Sequence, residues 1–173
     1  MRERPAGLWA GLREAFRYAA SGLHYAVRTQ RTFRIQLLCA ALIALLTFWL
    51  RPGPLGTALV ALALFGVLAS ELMNTGVEAI VDLLVERNHH ELARRAKDIA
   101  AAAVVTAVVG AVIAGALVLG PPLAARLGVS PRGAQILAWG GVLLVVAAGT
   151  GAVLGLLRRP VPDEDGGPGR RTS

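Results

Sequence analysis

Cysteine is nearly absent. Cys39 is the only one in 173 residues, so no disulfide can form within the chain and nothing calls for an oxidising compartment. Charge is scarce too, with 17% Asp, Glu, Lys and Arg against 55% hydrophobic residues. Together with a mean hydropathy of +0.58, this is too apolar for an ordinary soluble domain. No Gly-x-x-x-x-Gly-Lys-Ser/Thr phosphate loop exists: Gly115 and Gly120 have the spacing, but no lysine follows. Soluble-kinase signatures are missing as well. His89 and His90 are adjacent, do not share a helix face and have no cysteine pair beside them, which argues against zinc. The opening stretch Met1 to Ala20 carries Arg2, Arg4, Arg13 and Arg17 without a continuous apolar run. No cleavable secretory signal is therefore expected, and the N-terminus should stay cytoplasmic.

What the chain has in quantity is apolar length. A bilayer crossing takes about 20 apolar residues, and four segments come close: Phe33 to Leu50, Leu55 to Met73, Ile99 to Leu119 and Ile136 to Leu157. The net charge of +7 could suggest nucleic acid, but its distribution argues against that. With the N-terminus inside, the first tail, the stretch Val85 to Lys97 and the last tail hold fifteen of the eighteen Lys and Arg residues, leaving Arg51, Arg126 and Arg132 outside. That asymmetry is the positive-inside pattern of an even number of spans, and anionic headgroups account for the excess.

Before the first span, Trp9, Leu12, Phe16, Ala19 and Leu23 recur at spacings of three and four, with Arg13, Glu14, Arg17 and Arg28 off that stripe. This pattern predicts an amphipathic helix, lying on the inner leaflet or packed on protein. Arg51-Pro52-Gly53-Pro54 predicts a tight hairpin between the first two spans. Gly120-Pro121-Pro122 and Ser130-Pro131-Arg132-Gly133 are expected to bracket a second outer loop. Trp49 and Trp139 then fall near the outer interface, where indoles are favoured. The tail after Arg158-Arg159 is rich in Pro, Gly and charge and is expected to be disordered. The expected fold is all-α: a polytopic membrane helical bundle with an N-terminal amphipathic surface helix and four transmembrane helices. The expected division is an interfacial helix over 1–32, a three-span core over 33–119, an outer loop and extra span over 120–157, and a tail over 158–173.

The informative segment runs from Ser70 to Asp82. Glu71, Asn74, Glu78 and Asp82 are separated by three, four and four residues, so on a 3.6-residue helix they project from one face. An ionised carboxylate in hydrocarbon costs roughly 2.5 to 3.5 kcal/mol or more unless it is paired or reaches a wet cavity. Helices that are merely tied together would sooner use Ser, Thr or Asn than two glutamates. Carboxylates at this spacing suit a hard divalent cation such as Mg2+, and one in a partly apolar site can act as general base toward an alcohol. Arg94, Arg95 and Lys97, with Asp98, come just before the third span and would draw phosphate oxygens. The pieces point to metal-assisted phosphoryl transfer at the inner membrane surface.

At these residues the chain resembles the prokaryotic diacylglycerol kinase and undecaprenol kinase family, small integral membrane lipid kinases. Glu71-Leu-Met-Asn-Thr-Gly-Val-Glu-Ala-Ile-Val-Asp82 looks like the family signature, and His90-Glu91-Leu-Ala-Arg-Arg-Ala-Lys97-Asp98 like the stretch that follows it. Gly22 to Arg34 is similar to the family's entry into its first span, and the similarity covers roughly Ala15 to Leu119. The resemblance implies ATP as co-substrate, Mg2+ as cofactor and a membrane lipid alcohol as acceptor. It implies Glu71 as general base, Glu78 as a magnesium ligand, and Asn74, Asp82, His90, Glu91, Lys97 and Asp98 around the nucleotide. Where the family usually has a second metal-binding glutamate, this chain has Gln30, whose amide oxygen can ligate Mg2+ but brings no charge. The resemblance also implies a homotrimer in the inner membrane with sites shared between neighbours. The fourth span departs from the family's three and is expected at the periphery.

The stretches Thr29 to Arg34 and His89-His90 look more like the branch that acts on undecaprenol than the one that acts on diacylglycerol. Two readings of another kind compete: a catalytically degenerate scaffold, motivated by Gln30 and the extra span, and an ion pathway built on the intramembrane carboxylates.

Overall fold

A computed structural model describes residues 7–85 and 91–157. Among them are five helices and no strand: α1 (Leu8–Thr29), α2 (Arg31–Leu50), α3 (Gly53–Leu84), α4 (Glu91–Arg126) and α5 (Pro131–Leu157). The segment 158–173, expected to be disordered, and His90 lie outside the described residues.

The amphipathic α1 forms as its periodicity predicts. Its apolar stripe faces outward, with Trp9, Phe16 and Leu23 exposed. Gln30 ends α1 and begins α2, its extended backbone breaking the helix in a single residue. Ala26 and Phe33, on either side of that break, are buried.

The remaining four helices are long and apolar enough to cross a membrane. They are apolar nearly all round, and Leu38, Leu42, Leu45, Leu62 and Phe65 are exposed, which is the surface lipid requires and water would penalise. The α2–α3 hairpin closes on Arg51 at φ 52 and Gly53 at φ 84, with Pro52 and Pro54 preventing either helix from running on. At the hairpin end of the bundle Arg126 lies over the Trp49 ring at 4.6 Å and donates to the Trp49 carbonyl at 3.2 Å. Leu50, Val60 and Leu119 are packed together just beneath.

The hydroxyls inside the helices need no partner on a neighbouring one. Thr47, Thr57, Ser70, Thr75, Thr106 and Thr150 each donate to the carbonyl one turn earlier, which satisfies them where water is excluded.

The second outer loop begins later than the prolines suggest. α4 continues through Pro121 and Pro122 to Arg126. Proline already has a helical φ, so helical geometry can continue, although the carbonyls of Leu117 and Val118 lose their amide donors. The helix instead stops at Gly128, with φ 74, where the Val129 amide returns to the Ala124 carbonyl at 2.9 Å, a Schellman ending. Ser130 then caps α5, its Oγ accepting from the Gly133 amide at 3.2 Å, with Pro131 in the first helical position.

α5 packs against α4 and no other helix among the described residues. Ala124 and Ala134 are buried, and a Cβ on Gly120 would meet the Ala138 Cβ at 3.7 Å, so small residues bring the two backbones close. The fourth span thus stands away from α2 and from the polar face of α3.

Candidate active site

The site is built on α3 because that helix is longer than the membrane is thick. Its 32 residues extend about 48 Å at 1.5 Å per residue, against a hydrocarbon core of about 30 Å. The C-terminal turns therefore leave the apolar layer, and Glu71 to Asp82 lies along that exit.

The four polar side chains form a gradient along one edge. Glu71 is only 4% exposed, Asn74 and Glu78 are half-buried, and the Asp82 side chain is 59% exposed. The eleven helical rises from Glu71 to Asp82 span about 16 Å. Glu71 and Glu78 stand two turns apart, about 10 Å along the axis, too far for one small cation to be ligated by both. The expectation that the stripe's carboxylates jointly hold an ion thus separates into layers: a buried carboxylate, an amide–carboxylate pair and an exposed ion pair.

In the deepest layer Glu71 Oε2 accepts a hydrogen bond from Gln36 Nε2 at 3.2 Å, across from α2. Thr75, one turn on, is buried and donates to the Glu71 carbonyl at 3.0 Å. In the middle layer Asn74 Nδ2 donates to Glu78 Oε1 at 2.9 Å. That leaves the Asn74 Oδ1 buried with no hydrogen-bond partner, an arrangement that costs about 1–3 kcal/mol unless something else meets the oxygen. In the outer layer Lys97 Nζ donates to Asp82 Oδ1 at 2.5 Å, joining α4 to α3 with two ammonium hydrogens to spare. Next to it Glu91 accepts from Arg94 at 2.7 Å and from Arg95 at 3.3 Å, and Arg94 reaches Asp98 at 3.7 Å. These are exposed pairs that position cations at the helix start and add little stability.

Mg2+ fits the middle layer chemically: the orphaned Asn74 oxygen and the Glu78 carboxylate are hard oxygen donors. Among the described residues no cluster of three or more His, Cys, Asp or Glu side chains could hold a metal. Gln30, at the α1–α2 junction, is half-buried, and its side chain makes no capping hydrogen bond to α2. The structure thus brings Glu71, Asn74, Glu78, Asp82 and Lys97 onto one surface, with Glu91 and Asp98 beside it.

Gln36 is the site residue that reading the sequence missed. A single amide in the apolar run of α2 was the available signal, since polar groups within spans are costly. It also lines a cavity of about 550 Å³ between α2, α3 and α4. Cys39, Ile43, Leu64, Val112 and Leu119 line it too, and the wall is otherwise apolar.

A helical membrane protein with a buried carboxylate, an oxygen-rich layer and a rim of cations belongs to the class that does chemistry at the bilayer surface. Comparison with known proteins is more specific. The family described as "Prokaryotic diacylglycerol kinase" matches residues 17–119, and the chain belongs to that family of membrane lipid kinases. A "Diacylglycerol kinase" of Synechocystis sp. is 43% identical over 109 residues, 63% of this chain and 62% of that protein, so less than two thirds of the relative's length is covered. The "Undecaprenol kinase" of Bacillus subtilis is 33% identical over 110 residues, 64% of this chain and 89% of that protein. The "Diacylglycerol kinase" of Escherichia coli K12 is 31% identical over 102 residues, 59% of this chain and 83% of that protein. The family match ends at Leu119, before α5.

Proposed function

We propose that this protein is an ATP- and Mg2+-dependent lipid kinase of the bacterial inner membrane, working on its cytoplasmic side. It transfers the γ-phosphoryl group to the hydroxyl of a lipid alcohol. The observation that carries the reading is the layered edge of α3, which descends from an exposed ion pair with Lys97 to a buried carboxylate at the depth where a lipid hydroxyl sits.

Glu71 accepts the hydroxyl proton as the alcohol oxygen forms its bond to the γ-phosphorus and the bond to the ADP oxygen breaks. Glu78 and the Asn74 oxygen would hold the magnesium, with Gln30 a further candidate oxygen donor, and the ion would neutralise developing phosphate charge. Lys97, kept in place by Asp82, offers its remaining hydrogens to phosphate oxygens, and Glu91, Asp98 and His90 border the nucleotide. Most of the catalysis is positioning and charge neutralisation, as in phosphoryl transfer generally. Among the described residues one chain supplies few acidic groups to a metal, which supports a homotrimer in which neighbours complete each site.

Undecaprenol is the acceptor suggested by Thr29 to Arg34. Diacylglycerol is the second reading, favoured by the greater identity to the Synechocystis protein of that name. Labelled ATP, Mg2+ and each alcohol in mixed micelles test both: label should enter one lipid in preference. Label in neither, from folded wild-type protein, refutes the kinase and leaves the scaffold reading.

A further inference from the structure

We infer that Gln36 is a positioning residue for the base: its amide fixes which oxygen of Glu71 is free to take the substrate proton. The inference rests on the proposed role of Glu71 and deepens it.

Gln36 and Glu71 lie 35 positions apart on different helices, and the bond between them is a polar side-chain contact from α2 to α3. A carboxylate accepts and cannot donate, so the amide must present its N–H to Glu71 and turn its oxygen away. That is the arrangement found. Nε2 donates to Oε2 at 3.2 Å, while the Gln36 Oε1 is buried with no hydrogen-bond partner. No second polar contact competes for the amide, so Glu71 alone sets its orientation. In return one of the two Glu71 oxygens is occupied, and the other accepts no hydrogen bond among the described residues. The hydroxyls of Ser70 and Thr75, on the same helix, are committed to backbone carbonyls. The carboxylate is thereby held with one oxygen engaged and the other unengaged, beside Gln36, the polar residue in the wall of an apolar cavity.

Packing alone gives no reason for an amide here. A side chain of the same length without polar atoms would fill the wall and remove the unpaired Gln36 oxygen, at the cost of the donor to Glu71. A purely structural role therefore predicts a kcat loss that follows lost stability, and a positioning role a kcat loss larger than any change in stability.

The test compares wild type, Gln36→Met and Gln36→His in micelles with Mg-ATP and the lipid alcohol that wild type phosphorylates, alongside thermal unfolding in the same detergent. Methionine keeps the length and loses the N–H; histidine is shorter and stiffer but retains a donor. The expected result is a kcat roughly tenfold lower in Gln36→Met, a fraction of what loss of a general base costs. Its KM for ATP should stay within about twofold, and Gln36→His should recover part of kcat. The unfolding temperature of Gln36→Met should move little, because removal of the unpaired Gln36 oxygen is opposed by loss of the donor to the buried Glu71 carboxylate. Wild-type kcat in Gln36→Met overturns the inference. So does a kcat loss that tracks a lowered unfolding temperature, or a histidine variant no better than methionine. Inactive wild-type protein refutes the kinase reading and this one with it, whereas active wild type beside a fully active Gln36→Met refutes this one alone.

Discussion

Glu71→Gln separates chemistry from folding. The substitution keeps shape and volume at a site only 4% exposed, and the new amide oxygen can still accept from Gln36 Nε2 in place of Oε2. A neutral hydrogen bond is worth about 1 kcal/mol net, somewhat less than the charge-assisted one it replaces. Against that small loss, removing a charge from an apolar surrounding relieves part of a desolvation cost of several kcal/mol. The two effects oppose, so thermal stability in detergent should change by no more than about 1 kcal/mol. Activity behaves differently because an amide cannot take a proton. General bases contribute about 10²- to 10⁴-fold, which is roughly 2.7 to 5.5 kcal/mol of barrier. Phosphoryl transfer to the lipid alcohol should fall by that factor while Mg-ATP binding persists. Glu71→Ala is the contrast: it strips the Gln36 amide of its acceptor and opens a void, so it should lose stability as well, by about 2–4 kcal/mol. The two variants are compared by initial rates with labelled ATP and by thermal scans of the same samples. Full activity in Glu71→Gln would refute the assignment of the base, and equal unfolding temperatures for Gln and Ala would refute the buried contact.

Lys97→Met breaks the ion pair with Asp82, but the Asp82 side chain is 59% and the Lys97 side chain 36% exposed, so stability should change by less than about 1 kcal/mol. The KM for ATP should instead rise by roughly tenfold through loss of a phosphate partner, read by steady-state titration. Gly56→Leu should destabilise the outer half of the bundle by about 1–3 kcal/mol, because a Cβ there already stands 3.0 Å from Val118 Cγ1 and from Pro52 Cβ. Gly115→Ala meets nothing within 4 Å and should be close to neutral in the same thermal scan. Arg126→Ala removes the stacking on Trp49 and the bond to its carbonyl; it should cost about 0.5–2 kcal/mol and leave the KM for ATP unmoved, since it acts at the opposite membrane face.

Much of this protein is local and therefore readable in order. Four apolar runs, a charge asymmetry and a three-and-four rhythm of aromatics suffice for the spans and the surface helix, since hydrocarbon permits few backbone forms other than helices. The alignment of Glu71, Asn74, Glu78 and Asp82 follows from 3.6 residues per turn alone. Turn chemistry was less legible: the two prolines at 121 and 122 pointed to a loop, but α4 runs on to Arg126 and turns at Gly128, because proline near a helix end forfeits amides without changing φ. What periodicity cannot give is the rotation of one helix against another. That Glu71 meets Gln36, that Lys97 reaches back to Asp82, and that α5 packs on α4 and on no other helix among the described residues depend on how side chains of distant segments interlock. Packing decides those contacts, because each helix, stable by itself in lipid, is free to turn about its axis until its neighbours fix it.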